Sequence, residues 1–167
     1  GAEMLVLAAA AASREAAHVL MRDAISSGRA LLKLEEIVKA QGGDANVVRD
    51  PPRLPQAPHQ SSFDAKRDGV VRSVDPRAIG YGIIALGGGR RNMEDKVDPS
   101  VGFVITAKPG LHVAKGQTMA TIHARSRADL DVGRVTLERA IAIGDSAMPP
   151  LPLVSHRVTS RGVESLA

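Results

Sequence analysis

The spacing of apolar residues predicts helices over residues 1–50. Ser13 and Gly28 suit the two ends of one of them, because a serine hydroxyl accepts the free amides of a first turn and glycine readily adopts the left-handed conformation after a last one. Between these ends the apolar residues recur at helical spacing, as Ala17, Leu20, Ala24 and Ile25. The unbroken apolar run Met4–Leu7 is typical of the interior of an earlier helix.

A further helix is predicted over Arg29–Gln41, with apolar and charged residues on opposite faces. Gly42 and Gly43 end it, and Asp44 suits the cap of one more turn that reaches Val48. These helices do not supply one another with enough apolar surface to bury their apolar faces. We therefore expect another part of the protein to cover them.

The next stretch is dominated by proline, at Pro51, Pro52, Pro55 and Pro58. Proline fixes φ and removes a backbone donor, which favours an extended, semi-rigid connector. The sequence thus predicts three parts: a helical tail over 1–50, a connector over 51–60 and a separate domain over 61–167.

Beyond the connector the pattern changes to short strands separated by helices. Runs rich in Val and Ile, bounded by turn residues, predict strands at Gly69–Val74, Val101–Thr106, Met119–His123 and Leu151–Val158. Asp75 followed by Pro76 predicts a helix that ends at Gly87, and Ser126 with Asp129 forms a capping-box pattern that opens a helix to about Ile141. The predicted fold class is α+β: N-terminal helices, then a C-terminal barrel-sandwich-like α/β domain with short strands.

The segment Gly110–Ile122 alternates glycines with apolar residues every three positions. This spacing suits tight turns between short strands that fold back on one another, and it resembles the hairpin of biotinyl and lipoyl carrier domains. A carrier also needs a modifiable lysine at an exposed hairpin tip, and neither Lys108 nor Lys115 has that setting. A structural hairpin is the favoured interpretation, with a carrier as the alternative.

Composition excludes several classes of function. The absence of cysteine excludes disulfides, thiolate metal sites and a cysteine nucleophile. With only Phe63, Tyr81 and Phe103 as aromatics, a stacking platform for single-stranded nucleic acid is excluded. The net charge is +4, and the basic residues are spread along the chain, which indicates a solvated surface. The longest apolar run, Met4–Ala12, is too short to span a bilayer and has no basic flank, so we expect a cytoplasmic protein without membrane or nucleic-acid partners.

Motifs of catalysis are missing: there is no H-E-x-x-H, G-x-S-x-G or Walker A pattern. The five histidines are isolated from one another and from carboxylates at metal-ligand spacing, which favours structural or surface roles; they are His18, His59, His112, His123 and His156. We expect no catalytic residue, no metal site and no cofactor in this chain.

The most suggestive stretch consists of Gly87, Gly88, Gly89, Arg90 and Arg91. Glycines let backbone amides approach an anion, and arginines bind phosphate with two parallel hydrogen bonds. These glycines follow a helix rather than precede one, so no helix N-terminus points at the site. Two interpretations stay open: a helix C-cap with a solvated loop, or a contact to an anionic ligand or a closing partner domain.

Several segments, taken in order, carry a resemblance to a known family. They are Gly1–Leu5, Ala40–Asp44, Leu54–Ala57, Gly69–Val71, Ala78–Gly80, Leu86–Arg91, Asp98 with Val101–Gly102, and Ala120–His123. This set resembles the later part of pyrimidine-nucleoside phosphorylases. The glycine–arginine stretch is most similar to thymidine phosphorylases of the bacterial type.

The resemblance implies a pentosyltransferase of nucleotide salvage, in which thymidine and phosphate give thymine and 2-deoxy-α-ribose 1-phosphate. It implies phosphate as co-substrate without a cofactor, and a homodimer formed through helices that this chain lacks. The residues that bind substrate and phosphate are expected upstream of Gly1, so the chain alone is predicted to be inactive. Gly87–Asp98 resembles a loop that folds toward the cleft when the domains close, with Arg90 and Arg91 as its contacts. Thymidine or uridine preference and any inter-domain cation stay open.

The chain opens with Gly1 rather than Met, which favours a piece of a longer polypeptide. Two alternatives of another class stay open. One is a stand-alone barrel-sandwich binding or carrier module. The other is a regulatory domain that binds a nucleoside or anion without turning it over.

Overall fold

The computed structural model describes residues 1–146, 152 and 154–166. It divides into two compact units, Gly1–Leu54 and Pro55–Ala167, and the division falls inside the proline-rich stretch 51–60. In the described part of the chain, no helix has the length and apolarity needed to cross a membrane.

The regular elements of the first unit are all helices, as predicted. Its elements are α1 (Ala2–Leu7), α2 (Arg14–Ser26), α3 (Arg29–Ala40) and two 3₁₀ helices, Ala45–Val48 and Pro51–Arg53.

The predicted caps of this unit are confirmed. The Ser13 hydroxyl accepts a hydrogen bond from the amide of Ala16 at 3.2 Å. Gly28 takes a φ of 79° between α2 and α3, and the Asp44 carboxylate accepts from the amide of Asn46 at 3.0 Å. These ends were predictable because a cap uses only residues within one turn of the helix end.

The prediction of an extended connector is wrong for its first residues. Pro51–Arg53 form a 3₁₀ turn in which the amide of Leu54 donates to the carbonyl of Pro51 at 2.9 Å. The φ value that proline imposes suits the start of a helix as well as an extended chain. The backbone becomes extended only at Leu54.

The second unit contains eight short strands and two helices among its described residues. The strands are β1 (His59–Asp64), β2 (Gly69–Val74), β3 (Gly102–Ile105), β4 (His112–Val113), β5 (Thr118–Ala124), β6 (Ile141–Gly144), β7 (His156–Thr159) and β8 (Gly162–Ser165); the helices are α4 (Pro76–Leu86) and α5 (Arg127–Ala140).

The strands pair antiparallel in three separate groups. Two are three-stranded sheets, ordered β1-β5-β3 and β4-β2-β6, and the third is the hairpin β7-β8. The α+β prediction is confirmed, and among the described strands the two sheets do not close into a barrel.

Helix α5 covers one face of the first sheet. Ile122, in the central strand β5, pairs with Ser61 of β1 and Phe103 of β3. It is fully buried, as is Leu137 of α5. The helix approaches closely at Gly133, where a Cβ atom would stand 2.5 Å from the Ile122 Cγ2 atom. The core of this unit therefore joins α5 and this sheet to buried residues of the second sheet.

Helix α4 is fixed at both ends, and it leads into the glycine-rich stretch. Its start is capped by the Asp75 carboxylate, which accepts from the amides of Arg77 and Ala78 at 2.9 and 3.2 Å. Its last residue, Leu86, is fully buried. The glycine-rich stretch therefore begins directly after a buried residue, at a fixed position in the domain.

The expectation that Gly110–Ile122 folds back on itself as a hairpin is wrong. Turns do occur at Gly110 and Gly116, with φ values of 89° and 86°. However, β4 pairs with β2, whereas β5 pairs with β1 and β3. The segment therefore crosses from one sheet to the other.

Strand prediction succeeded for the three strands β2, β3 and β5. Gly69–Val74 is a strand as predicted, and the other two central predictions match β3 and β5 within a residue or two. The strands β1, β4, β6 and β8 were missed. The helix predicted to reach Ile141 ends at Ala140, where the chain passes directly into β6.

The predicted strand Leu151–Val158 lies partly outside the described residues. Within them, the strand occupies His156–Thr159 and pairs with β8. It forms a hairpin rather than the closing strand of a sheet.

Candidate functional site

The glycine–arginine stretch begins as a helix cap. Gly87 has a φ of 95°. Its amide donates to the carbonyl of Ile84 at 3.1 Å, and the amide of Gly88 donates to that of Ile83 at 2.9 Å. This is the Schellman arrangement at a helix C-terminus. The C-cap interpretation is confirmed for these two glycines, whose amides are occupied and do not face an anion.

The ends of the following loop, Gly87–Asp98, are tied together. The amide of Asp98 donates to the carbonyl of Gly87 at 2.9 Å. The Asp98 carboxylate accepts from the hydroxyl and amide of Ser100 at 2.6 and 2.9 Å, and these bonds lower the pKa of Asp98 below its ordinary value. The Arg125 guanidinium lies 4.0 Å from the same carboxylate. The base of the loop is thus anchored to the domain.

The tip of the loop is a second ordered turn. One oxygen of Asp95 accepts from the amides of Arg91 and Asn92 at 2.8 and 3.0 Å. The amide of Asp95 donates back to the carbonyl of Asn92 at 3.2 Å. The bonds from the Asn92 and Arg91 amides lower the pKa of Asp95, so its carboxylate is ionised at neutral pH.

Two neighbouring cations stand at this tip. Arg90 and Arg91 are both exposed, and among the described residues neither side chain makes a hydrogen bond or an ion pair within the chain. A guanidinium matches phosphate or carboxylate oxygens with two parallel hydrogen bonds. The arrangement can bind an anion; it supplies positive charge and donors.

The structure does not gather the histidines. His59 and His123 lie on neighbouring strands, but His123 stands opposite Gln60 and Gly102 in the register. His18 lies in α2, His112 in β4 and His156 in β7. Over the residues that the structure describes, no group of three or more His, Cys, Asp or Glu side chains could hold a metal ion.

The two lysines considered for a carrier function lie in turns. The amide of Lys115 donates to the Asp68 carboxylate at 2.7 Å, and that of Gly116 donates to the carbonyl of Ala65 at 2.8 Å. Lys108 lies in the turn before Gly110, where its carbonyl accepts from the amide of Leu111. Lys115 is therefore held against the β1–β2 connection, between strands that belong to different sheets.

Sequence reasoning missed the roles of Asp95, Asp98 and Arg125. For the two aspartates the sequence does carry a signal, because an Asp side chain commonly accepts hydrogen bonds from backbone amides within its own turn. The sequence carries no signal for the contact of Arg125 with the loop base, because Arg125 and Asp98 are far apart in the sequence and meet only in the folded domain.

Comparisons with known proteins place this domain in context. Residues 70–144 match the family model of the pyrimidine nucleoside phosphorylase C-terminal domain. Over 150 residues the chain is 40% identical to the pyrimidine-nucleoside phosphorylases of Staphylococcus aureus strains USA300, NCTC 8325 / PS 47 and bovine RF122/ET3-1. The match covers 90% of this chain but 34% of each relative, so the chain spans about a third of the length of the curated relatives it matches. The resemblance to the C-terminal portion of this family is confirmed.

Proposed function

We propose that this chain serves as the C-terminal third of a pyrimidine-nucleoside phosphorylase that cleaves thymidine. Its residues 70–144 belong to the pyrimidine nucleoside phosphorylase C-terminal domain family. The observation that carries the proposal is the 40% identity to relatives of that name over 90% of the chain. In the proposed reaction phosphate attacks the anomeric carbon of thymidine as the bond to thymine breaks. The products are thymine and 2-deoxy-α-ribose 1-phosphate.

The helical unit Gly1–Leu54 supports this proposal, because it lacks a core of its own. Its only buried apolar side chains are Ala2 and Ala17. Larger apolar side chains are exposed, among them Leu7, Val19 and Ile25 at 85%, 65% and 72%. An apolar surface of this extent marks a contact with another protein surface. The part of the relatives that this chain does not span would provide it.

The Gly87–Asp98 loop contributes closure in the proposed enzyme. Phosphorolysis needs an anion site for phosphate and donors that stabilise charge on the departing pyrimidine. Arg90 and Arg91 offer cationic donors at the tip of an anchored loop. We infer that they contact the cleft as it closes, with phosphate as co-substrate and no cofactor.

The remaining features of the proposed enzyme come from the family resemblance. It is a cytoplasmic homodimer whose dimer contacts lie outside this chain. Its substrate-binding and catalytic residues also lie outside it, so the 167-residue chain does not turn over nucleoside by itself.

The proposal is tested by sequencing the coding DNA upstream of the Gly1 codon. We expect an open frame of roughly twice the length of this chain, since the chain covers 34% of a relative, and a phosphate loop with lysine and serine within it. A start codon close to Gly1 would contradict the proposal and favour a stand-alone binding module. An intact mass equal to the plain sequence would then exclude a biotinylated or lipoylated carrier.

A further inference from the structure

Helices α4 and α5 form an open groove on the surface of the second unit. The groove has a volume of about 660 Å³ and is mostly apolar. On the α4 side it is lined by residues that recur at the spacing of one helix face; they are Ala78, Tyr81, Gly82 and Ala85. Tyr81 is 68% exposed, so the groove is open at this side chain.

The α5 side of the groove is the face of that helix that turns away from the sheet. Leu137 of α5 is fully buried, whereas Val132 and Val135 line the groove and are 40% and 45% exposed. Together with Tyr81 they form one apolar surface. Exposed apolar side chains that are gathered in one groove indicate a contact with another protein surface.

Charges of opposite sign stand at the two ends of this α5 face. Asp131 and Arg139 each lie four residues from Val135, one before it and one after it, so the three residues share one side of the helix. Both charged residues are exposed and line the groove. Among the described residues, neither side chain forms an ion pair or a hydrogen bond within the chain. The face therefore presents an unpaired anion, an apolar centre and an unpaired cation in a row.

This row is complementary to itself. If two copies of α5 meet antiparallel across a two-fold axis at Val135, Asp131 of each copy stands opposite Arg139 of the other, and the two valines meet at the axis. Both ion pairs then form together. A parallel arrangement of the same faces would instead bring like charges together, so the charge pattern selects the antiparallel contact.

We propose that this α4–α5 face is a docking surface for a second copy of the same chain, through an antiparallel contact between the two α5 helices. The contact is separate from the dimer contacts proposed above, which lie outside this chain, so in the proposed enzyme it would join two dimers. It does not depend on the reaction. Helix α5 has 14 residues and is therefore about 21 Å long, and a contact of that extent is small. We expect weak, micromolar association.

Charge reversal tests the pairing in the protein at its full encoded length. Asp131→Lys places cations opposite each other across the axis, and Arg139→Glu places carboxylates opposite each other. Each variant should raise the dissociation constant for self-association about tenfold or more, because two attractive pairs become repulsive. Sedimentation velocity over a range of concentrations measures this constant. Both side chains are exposed, and urea unfolding checks that both variants fold.

Mixing the two variants gives the sharpest measurement. In a mixed pair every cation meets a carboxylate, so an equimolar mixture should associate about as tightly as the unaltered protein. The double variant Asp131→Lys/Arg139→Glu should do the same. The matched control is Arg72→Glu, which reverses an exposed cation of β2, outside the two helices, and should leave association unchanged.

Three results would overturn the proposal. The first is an unaltered protein that does not associate further at any concentration, and the second is a pair of single variants that associate as tightly as the unaltered protein. The third is a mixture that associates no better than either variant alone, which would assign the face to another occupant, such as the part of the relatives that this chain does not span. Phosphorolysis is assayed separately, and its absence would overturn the proposed function while the association data still decide what the face binds.

Discussion

Gly87 sets where α4 ends and where the loop begins. Its φ of 95° is a conformation that costs an L-residue about 1–2 kcal/mol. A Cβ atom there would also stand 2.7 Å from a terminal nitrogen of Arg125. Because glycine avoids both conflicts, the Arg125 side chain can lie across the loop base and face Asp98.

Substitution of Arg90 tests the proposed role of the loop in domain closure. In the full-length protein, Arg90→Ala should lower kcat or raise KM, because the cationic contact that we propose with the closing cleft would be lost. The free energy of unfolding should change by less than about 0.5 kcal/mol, since the Arg90 side chain is exposed and makes no ion pair among the described residues.

Steady-state kinetics and urea unfolding check this prediction. Arg77→Ala is the matched control, since it removes an exposed arginine from the first turn of α4, at the opposite end of that helix from the loop. If the kcat and KM of Arg90→Ala equal those of the control, the closure contact is contradicted and the loop is simply solvated.

At the scale of elements, α4 and α5 approach each other over a glycine. A Cβ atom at Gly82 would stand 2.2 Å from Cγ2, 2.8 Å from Oγ1 and 3.0 Å from Cβ of Thr136. The Thr136 hydroxyl also donates to the carbonyl of Val132 at 3.0 Å. Rotating Thr136 therefore cannot relieve the clash without exchanging one close atom for another.

Two glycines of α4 allow a matched test of this packing. Gly80→Ala should stabilise the protein by about 0.5–1 kcal/mol, because alanine favours helix and nothing lies within 4 Å of the new Cβ. Gly82→Ala gains the same propensity but should destabilise overall, since overpacking costs about 1–3 kcal/mol. Urea unfolding measures both, and equal stabilisation by the two substitutions would contradict the close approach of the helices.

Local and non-local elements differ in how well the sequence predicts them. The caps at Ser13, Asp75 and Ser126 were predictable, since each uses groups within one turn. Strand β1 was not, because it carries a single large apolar residue, Phe63, and its pairing with β5 supplies the rest. For the same reason the β4 pairing with β2 could not be read from the glycine spacing. At the candidate site the glycines and arginines were identifiable, whereas the anchoring by Arg125 depends on the fold.

At the scale of the whole molecule, the carboxylates set the response to acid. The pKa is lowered in the folded chain for six of them, through hydrogen bonds from backbone amides and side chains or through cationic partners; they are Glu15, Asp44, Asp95, Asp98, Glu138 and Asp145. A lowered pKa contributes stability that is complete above the ordinary value and is lost as the pH falls through the folded value.

The free energy of unfolding should therefore decline as the pH falls below 4.5 for the glutamates and 3.8 for the aspartates. Urea unfolding at pH 6, 4 and 3 measures this. Added salt should weaken only part of the effect: the exposed pairs of Glu138 with Lys66 and of Asp145 with Arg67 are screened, whereas hydrogen bonds to amides persist. Stability that stays level or rises toward pH 3 would contradict this electrostatic account.

We propose that this chain forms one part of a phosphorolytic enzyme. The most direct measurement is phosphate-dependent conversion of thymidine to thymine, by the protein at its full encoded length and by this 167-residue chain alone. We predict turnover by the full-length protein that requires phosphate, and none by the chain alone. Phosphate-dependent turnover by the purified chain, or none by the full-length protein with either thymidine or uridine, would contradict the account.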